Sequence, residues 1–509
     1  MSTFRSSYKL KASSVTLGIA LGIIGLGIVL RIAQYSTNRS LAMDEALISL
    51  NIVNRSFVEL TQPLSYNQGA PIGFLFSQKL AIQILGNNEY ALRLFPLAAG
   101  IIALLVMYRV ANSLLGTAGM LVATGLFAIC GRLVYYASET KQYSSDTMIA
   151  LILLLVAYKC LEAEPHPKHY ITLMMSGIVS MWFSHPALFV LVGVGASLAC
   201  DQLLKPDQRR LPWLGITFLA WMINLGVLYF VTLRSLAANS ILIDYWRASF
   251  MPMSLWQTPA WLLNAFLALF QNPVGLGDPS AAMLGMVVFV GGGVSLMFRD
   301  WRRALVLLTP FPVTLLASYF EKYPFGDRLL LFLVAIVLLL IGEGVERVRS
   351  LVSKVNAQAA FGICLGLVAF LLYSPGSVAA QNFLHPSLGE HIRPAISYIK
   401  EHKIDADKIY VYYGALPAFS YYTSVYGFKQ TEYYVGIAAR QEPAKYLADL
   451  DTISVYGRVW FIFSHTCNWC TVDEEPYFLK HLDKIAKRID TFQYSGASAY
   501  LYSFDHAQH

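Results

Sequence analysis

Apolar stretches long enough to cross a bilayer recur along most of the chain, and no other feature of the sequence limits its fold so sharply. The first covers residues 15–33 (VTLGIALGIIGLGIVLRIA). Others follow at 93–112, 117–136, 145–161, 170–184, 186–203, 211–233, 282–298, 304–320, 328–342 and 357–374. A helix needs roughly 20 apolar residues to span the hydrocarbon core, so these segments predict about eleven transmembrane helices. Ser184-His185-Pro186 interrupts the fifth and sixth, which could otherwise form one bent segment. With 56% hydrophobic and 14% charged residues among 509, the composition excludes a set of soluble domains with polar surfaces. The first 35 residues differ from a signal peptide in their longer apolar region and in lacking a small-x-small cleavage site, so they read as a retained span.

The basic residues set the expected orientation. With the N-terminus in the cytoplasm, the cytoplasmic turns carry Arg5, Lys9 and Lys11; Lys159 and Lys168; Lys205, Arg209 and Arg210; Arg299, Arg302 and Arg303; and Arg347, Arg349 and Lys354. The opposite loops hold isolated cations such as Lys141, Lys322 and Arg328. An odd number of spans then leaves the C-terminus outside.

Residues 385–509 differ in character. They hold 12 Lys+Arg against 14 Asp+Glu, a net −2, which leaves +9 of the overall +7 on the membrane part. That excess lies mostly in the cytoplasmic turns, so it orients the protein and does not imply nucleic acid. Strand-like runs (Lys408–Tyr413, Arg458–Phe463, Ser498–Tyr502) alternate with helical ones (His391–Glu401, Pro443–Leu450, Glu475–Lys484), the pattern of a small α/β domain. The expected fold is therefore a polytopic α-helical membrane domain over 1–380, with amphipathic helices in its first outer loop (36–92), followed by an extracytoplasmic α/β domain over 381–509.

Cys130, Cys160, Cys200 and Cys364 lie in or beside apolar spans and read as small buried hydrophobes. Cys467-Asn-Trp-Cys470 falls in the extracytoplasmic domain. A single C-x-x-C without a second pair argues against zinc, and in an oxidising compartment it reads as a short-loop disulfide.

The candidate chemistry lies on the outer face. Asp44 and Glu45 stand just past the first span, where adjacent carboxylates bring no anchoring benefit. The same loop carries Lys79, Glu89 and Arg93 and two amphipathic stretches, 44–59 and 71–85, of the kind that lie flat on a membrane. Charge so close to lipid is costly unless it is used. A structural lid is the plain alternative for this loop. Between the third and fourth spans, Tyr135-Tyr-Ala-Ser-Glu-Thr-Lys-Gln-Tyr-Ser-Ser-Asp146 places Glu139, Lys141 and Tyr143 on a hydroxyl-rich rim suited to sugar or phosphate. Some of that polarity is only what a tight turn requires. Glu321-Lys-Tyr-Pro-Phe-Gly-Asp-Arg328 offers Tyr323 and Arg328; the arginine either snorkels or grips phosphate bidentately. His185, ahead of Pro186, reads as a helix-end histidine or as a ligand.

These motifs occur in an order that resembles a known family. An acidic pair follows span one, then Gln68-Gly-Ala-Pro71 and Leu85-Gly86, Glu89-Tyr-Ala-Leu-Arg93-Leu-Phe-Pro96, Tyr136-Ala-Ser-Glu139-Thr-Lys-Gln-Tyr143, and Tyr323-Pro-Phe-Gly-Asp-Arg328. The chain resembles the GT-C integral-membrane glycosyltransferases, on the branch of the protein O-mannosyltransferases and lipid A aminoarabinose transferases, over roughly residues 15–345. The resemblance implies transfer of a sugar, with inversion, from a polyprenyl-phosphate-linked donor to an acceptor hydroxyl on protein, lipid or polysaccharide. It makes Asp44 the general base, Glu45 its neighbour and Arg93 a contact near the donor phosphate. Lys79, Glu139, Lys141, Tyr143 and Arg328 become looser sugar or phosphate contacts.

The residue types fit that chemistry on their own terms. A positioned carboxylate activates a hydroxyl by taking its proton during attack, and cations in a dry site stabilise a departing phosphate. No nucleotide diphosphate needs chelating, so no metal is required, although Asp44 and Glu45 could take a divalent cation. The competing classes are a flippase for lipid-linked sugars and a non-catalytic envelope assembly protein. A flippase would carry charges near the bilayer midplane and repeat symmetry between halves, neither of which the sequence displays.

Overall fold

The structure is a computed structural model that describes residues 14–254, 256–467 and 470–504. Arg5, Lys9 and Lys11, which contribute to the expected orientation, lie outside the described residues. The chain divides into two compact units. One comprises Met1–Ser36, Ser56–Gly86 and Ala91–Pro386; the other comprises Thr37–Arg55, Asn87–Tyr90 and Ser387–His509.

In the first unit every predicted span is helical. Among the described residues, eight helices are long and apolar enough to cross a membrane: Ser14–Ser36, Glu89–Leu114, Tyr143–Glu162, Ala187–Leu204, Leu211–Ala237, Pro279–Arg299, Asp327–Ser353 and Ala357–Leu384. The other three expected spans are shorter or broken. Pro167–Phe183 has 17 residues. The segment 117–136 divides into Thr117–Ile129 and Gly131–Tyr136 at Cys130, whose ψ of 111° leaves the helical region. Pro310, which has no N–H to donate to the preceding turn, starts a new helix, Pro310–Tyr319, after Trp301–Leu308. Leucine, isoleucine and valine side chains of Ser14–Ser36, such as Leu17, Ile19, Leu21 and Val29, are exposed, as a lipid-facing helix requires.

A hub helix organises this unit. Residues Leu331 to Glu346 are buried on all sides, which fits a run that is apolar around its whole circumference as far as Ile341. Glycines let neighbouring backbones reach it. A Cβ on Gly292 would stand 1.9 Å from Leu340 O, one on Gly344 2.2 Å from Val288 O, and one on Gly342 2.5 Å from Gly119 O. Small residues at such crossings replace a hydrophobic drive that lipid cannot supply. Arg31, fully buried in the first helix, donates to Gly27 O (2.9 Å), Ala128 O (3.1 Å) and Phe127 O (3.3 Å). It thereby supplies donors to carbonyls near the break at Cys130.

Contacts join loops expected on the same side. Arg299 donates to Leu114 O (2.8 Å) and pairs with Glu343 (2.9 Å), Arg303 pairs with Glu162, and Arg210 pairs with Asp201 (3.1 Å). At the opposite ends of the helices, Lys141 Nζ donates to Gln68 Oε1 (3.0 Å), Phe325 N–H to Ser249 O (2.9 Å) and Met251 N–H to Ser318 Oγ (2.9 Å).

The second unit carries a mixed sheet of five strands: β1 (Lys408–Val411), β2 (Tyr433–Val435), β3 (Arg458–Ser464), β4 (Lys487–Tyr494) and β5 (Ala497–Ser503), in the order β2-β1-β3-β5-β4. β1 runs parallel to β2 and β3, whereas β5 is antiparallel to both β3 and β4. The three predicted strands are β1, β3 and β5. The three predicted helices are Arg393–His402, Ala444–Ile453 and Glu474–Ile485. Leu416–Tyr426, β2 and β4 were not anticipated. Cys467 and Cys470 form a disulfide, as expected.

The division differs from the expected one at 380/381. Residues 37–55 and 87–90 belong with the C-terminal domain, because their polar groups are committed to it. Arg393 pairs with Glu89 (2.7 Å) and donates to Asn38 O (2.7 Å), while Tyr422 hydroxyl donates to Glu89 (2.8 Å) and accepts from Leu41 N–H (3.0 Å).

Candidate active site

In the C-terminal unit, Asp44 stands in the first turn of the helix Met43–Asn54, half-buried, with Glu45 beside it and fully buried. A carboxylate at this end of a helix interacts favourably with the helix dipole. The neighbouring residues fix the start of this helix. Glu45 pairs with Arg39 at 2.9 Å, both side chains at most 1% exposed, and also accepts from Ala42 N–H (3.3 Å). Ser40 N–H and Oγ both reach His391 Nδ1 at 2.8 Å, and Ser40 Oγ accepts from Arg393 N–H at 2.8 Å. Met43 N–H, one of the helix's otherwise unsatisfied donors, donates to Glu390 Oε2 at 2.8 Å.

Glu390's other oxygen bonds to Nδ1 of His465. That bond raises the His465 pKa above its ordinary 6.5, against the opposing effects of burial and Arg440; the Asp44 carboxylate adds to the rise. His465 therefore lies within electrostatic reach of Asp44. Glu390 and His465 escaped the sequence reading because they belong to the tail beyond the motifs, and single Glu and His residues in a loop give no periodic signal. The polar run Ser387–Arg393, leading out of the last apolar helix, is the one hint the sequence offers.

In the membrane unit, residues from separate connections between the apolar helices come together. Glu139, Tyr143, Asp327 and Arg328 all act electrostatically on the Tyr136 hydroxyl, which places the 137–142 turn beside the 321–328 loop. Arg328, half-buried, has its guanidinium carbon 6.0 Å from the Tyr143 ring centroid and 5.6 Å from that of Trp246. Glu139, Lys141 and Tyr143 are buried. Tyr323 packs edge-on against Phe189, with centroids 5.0 Å apart, and its hydroxyl donates to Leu329 O (2.8 Å). Arg93 is buried within Glu89–Leu114, and Lys79 is half-buried on Ile72–Leu85.

Lys141's partner Gln68 lines a cavity of about 70 Å³, together with Gly69, His185, Thr232, Ser235 and Asn239. That volume has room for a few water molecules or a small polar headgroup. His185 thus faces a hollow; its Nε2 is buried with no hydrogen-bond partner among the described residues. Trp246 and Gln68 are further residues that the expected site lacked. Trp246 lies in a long connection that carries no motif. Among the described residues, no three His, Cys, Asp or Glu side chains gather as a metal site.

A family model described as dolichyl-phosphate-mannose-protein mannosyltransferase matches residues 69–247. The chain superposes on ArnT from Cupriavidus metallidurans in the apo state with a TM-score of 0.53 at 12% identity, covering 96% of this chain and 98% of that one. This chain has the GT-C glycosyltransferase fold. ArnT from the same organism bound to undecaprenyl phosphate matches with a TM-score of 0.54 at 11% identity, covering 95% and 98% of the two chains. The archaeal oligosaccharyltransferase AglB from Archaeoglobus fulgidus, in complex with an inhibitory peptide and a dolichol-phosphate, matches with a TM-score of 0.53 at 11% identity, covering 96% and 74%. No sequence among functionally curated proteins matches. The GT-C fold bears out the membrane-embedded helical architecture with its small C-terminal sheet domain, and the mannosyltransferase match bears out the resemblance read from the outer-loop motifs.

Proposed function

We propose that this protein is an inverting glycosyltransferase that moves a sugar from a polyprenyl-phosphate-linked donor to an acceptor hydroxyl at the non-cytoplasmic face of the membrane. The acceptor O–H gives its proton to the Asp44 carboxylate as its oxygen attacks the anomeric carbon. The bond from that carbon to the phosphate oxygen breaks on the opposite face, and polyprenyl phosphate leaves with the bonding pair. Arg93, Lys141 and Arg328 receive the growing phosphate charge, with Lys79, Glu139 and Tyr143 in sugar or phosphate contact.

The observation that carries this reading is the way the Asp44 helix start is held. Glu45 is committed to a buried pair with Arg39, and Met43 N–H to Glu390. Asp44 is the half-buried carboxylate of the two, the exposure a base needs. The molecules bound in two of the similar solved structures, undecaprenyl phosphate in one and dolichol-phosphate with an inhibitory peptide in the other, support the donor class. We place the N-terminus in the cytoplasm and the C-terminal unit outside it, from the basic turns.

The test is transfer by the purified full chain in nanodiscs. Undecaprenyl-phosphate mannose, glucose and aminoarabinose are supplied with a membrane extract as acceptor, and release of undecaprenyl phosphate is measured. Release by the wild type and its loss in Asp44→Asn is expected. Equal release by both would overturn the base assignment, and no release from any donor would favour the flippase reading.

A further inference from the structure

The connection that carries Asp44 is tied to the sheet by a relay of two side chains. His465 follows directly on the last residue of β3, Ser464, which is registered against Ala497 of β5. Two residues further on, Cys467 is anchored by its disulfide to Cys470 and by its N–H, which donates to the buried Glu474 carboxylate at 2.8 Å. Between these anchors His465 takes a φ of +56°, a left-handed conformation that is uncommon outside glycine. Strained backbone of this kind persists where the surroundings over-determine it. Its imidazole Nδ1 meets Glu390 Oε1, and Glu390 Oε2 accepts Met43 N–H at 2.8 Å, one residue before Asp44.

We propose that Glu390 and His465 are positioning residues for the base, together fixing the height and direction of the first turn that carries the Asp44 carboxylate. This rests on the reading of Asp44 as the base. The carboxylate of Glu390 is a charged acceptor, which makes the stronger kind of hydrogen bond, and it bridges a sheet terminus to a helix start. The groups that act on His465 are Glu390 from the 387–392 connection, Asp44 from the helix Met43–Asn54, and Arg440 from the connection after β2. Arg440 also donates through Nη2 to His465 O at 3.4 Å and through Nε to Glu474 at 3.4 Å, so it braces the turn from behind. The two acids outweigh that single cation, and the charged imidazole is the form that holds Glu390 in place.

The experiment uses the full chain in nanodiscs and two readouts, hydrogen exchange of the 41–47 peptide and the pH profile of kcat for the donor used above. Glu390→Ala is expected to speed exchange at 41–47 while β3 and β5 stay protected. It should lower kcat by about tenfold to a hundredfold, because a small misplacement of a catalytic group is that costly, with KM for the donor nearly unchanged. Glu390→Gln keeps an acceptor oxygen for Met43 N–H and should retain the protection. In the wild type, kcat should decline as pH rises through the His465 titration, and His465→Gln should lose that decline. Wild-type exchange at 41–47 in Glu390→Ala, or a wild-type pH profile in His465→Gln, would overturn the proposal. Full transfer by Asp44→Asn would instead remove the base reading, with the exchange result still reporting on the relay.

Discussion

Arg39 and Glu45 face each other at 2.9 Å with 1% and 0% of their side chains exposed. The pair closes the turn that leads into the helix Met43–Asn54, so the two adjacent carboxylates of the sequence have different fates. Glu45 is consumed by structure, and Asp44 stands half-buried beside it.

Removing one partner of such a pair strands the other charge away from water. Arg39→Ala should therefore destabilise the C-terminal unit by about 3–5 kcal/mol. Thermal unfolding of the purified chain followed by tryptophan fluorescence checks this, and a melting temperature within a degree of wild type would show the pair to be dispensable.

Asp44→Asn keeps the size and shape of the side chain and removes its basicity. Transfer should fall by about 10²–10⁴-fold, the usual worth of a positioned base, with stability lowered by no more than about 0.3–1 kcal/mol, the worth of the helix-dipole interaction. Single-turnover release of polyprenyl phosphate measures the chemical step directly.

Arg328 lies over two aromatic rings, at 5.6 Å from Trp246 and 6.0 Å from Tyr143. Lysine keeps the charge but not the planar fork that stacks on a ring and meets phosphate at two points. Arg328→Lys should raise KM for the donor about tenfold, with a smaller effect on kcat. Trp246→Ala, which removes only the stacking surface, should shift KM in the same direction. Donor titrations of both variants decide it; an unchanged KM in Arg328→Lys would take the phosphate role away from this residue.

The bond to Glu390 holds the His465 pKa above its ordinary 6.5. A base whose pKa is raised by folding contributes stability that is complete below its unfolded value and is lost as pH rises through the folded one. The C-terminal unit of the wild type should thus lose stability from about pH 6.5 upward relative to His465→Gln, and the two should run parallel below the titration. Denaturant midpoints across that range provide the measurement, and parallel curves throughout would refute it.

Helix crossings in the membrane unit depend on missing side chains. A Cβ at Gly292 would lie 1.9 Å from Leu340 O, whereas Gly291 has open space around it. Gly292→Ala should cost about 1–3 kcal/mol by overpacking, and Gly291→Ala should be near neutral. Thermal aggregation in detergent separates the two.

Apolar length made the membrane unit legible, because in lipid a backbone must satisfy its own hydrogen bonds and a long apolar run has few alternatives to a helix. The breaks at Cys130 and Pro310 were less so. Both interrupt runs whose hydropathy is continuous; the proline marks one break, and only local backbone geometry exposes the one at Cys130. In the tail, alternation revealed β1, β3 and β5. β4 (KRIDTFQY), largely polar and exposed at the sheet edge, carries little apolar signal.

The candidate site divides in the same way. Asp44, Glu139, Lys141, Tyr143 and Arg328 could be nominated from the sequence because charge and hydroxyls beside a span are costly and therefore informative. Residue order along the chain determined the fold class, the apolar helices and the set of polar groups in the connections between them. Tertiary structure alone decided that Glu45 pairs with Arg39, that Glu390 and His465 reach back some 350 to 420 positions to residues 43 and 44, and that Trp246 underlies Arg328. Burial marks a residue's character on its own strand or helix, whereas the partner of a buried polar group is set by chain segments whose meeting leaves no local trace in sequence.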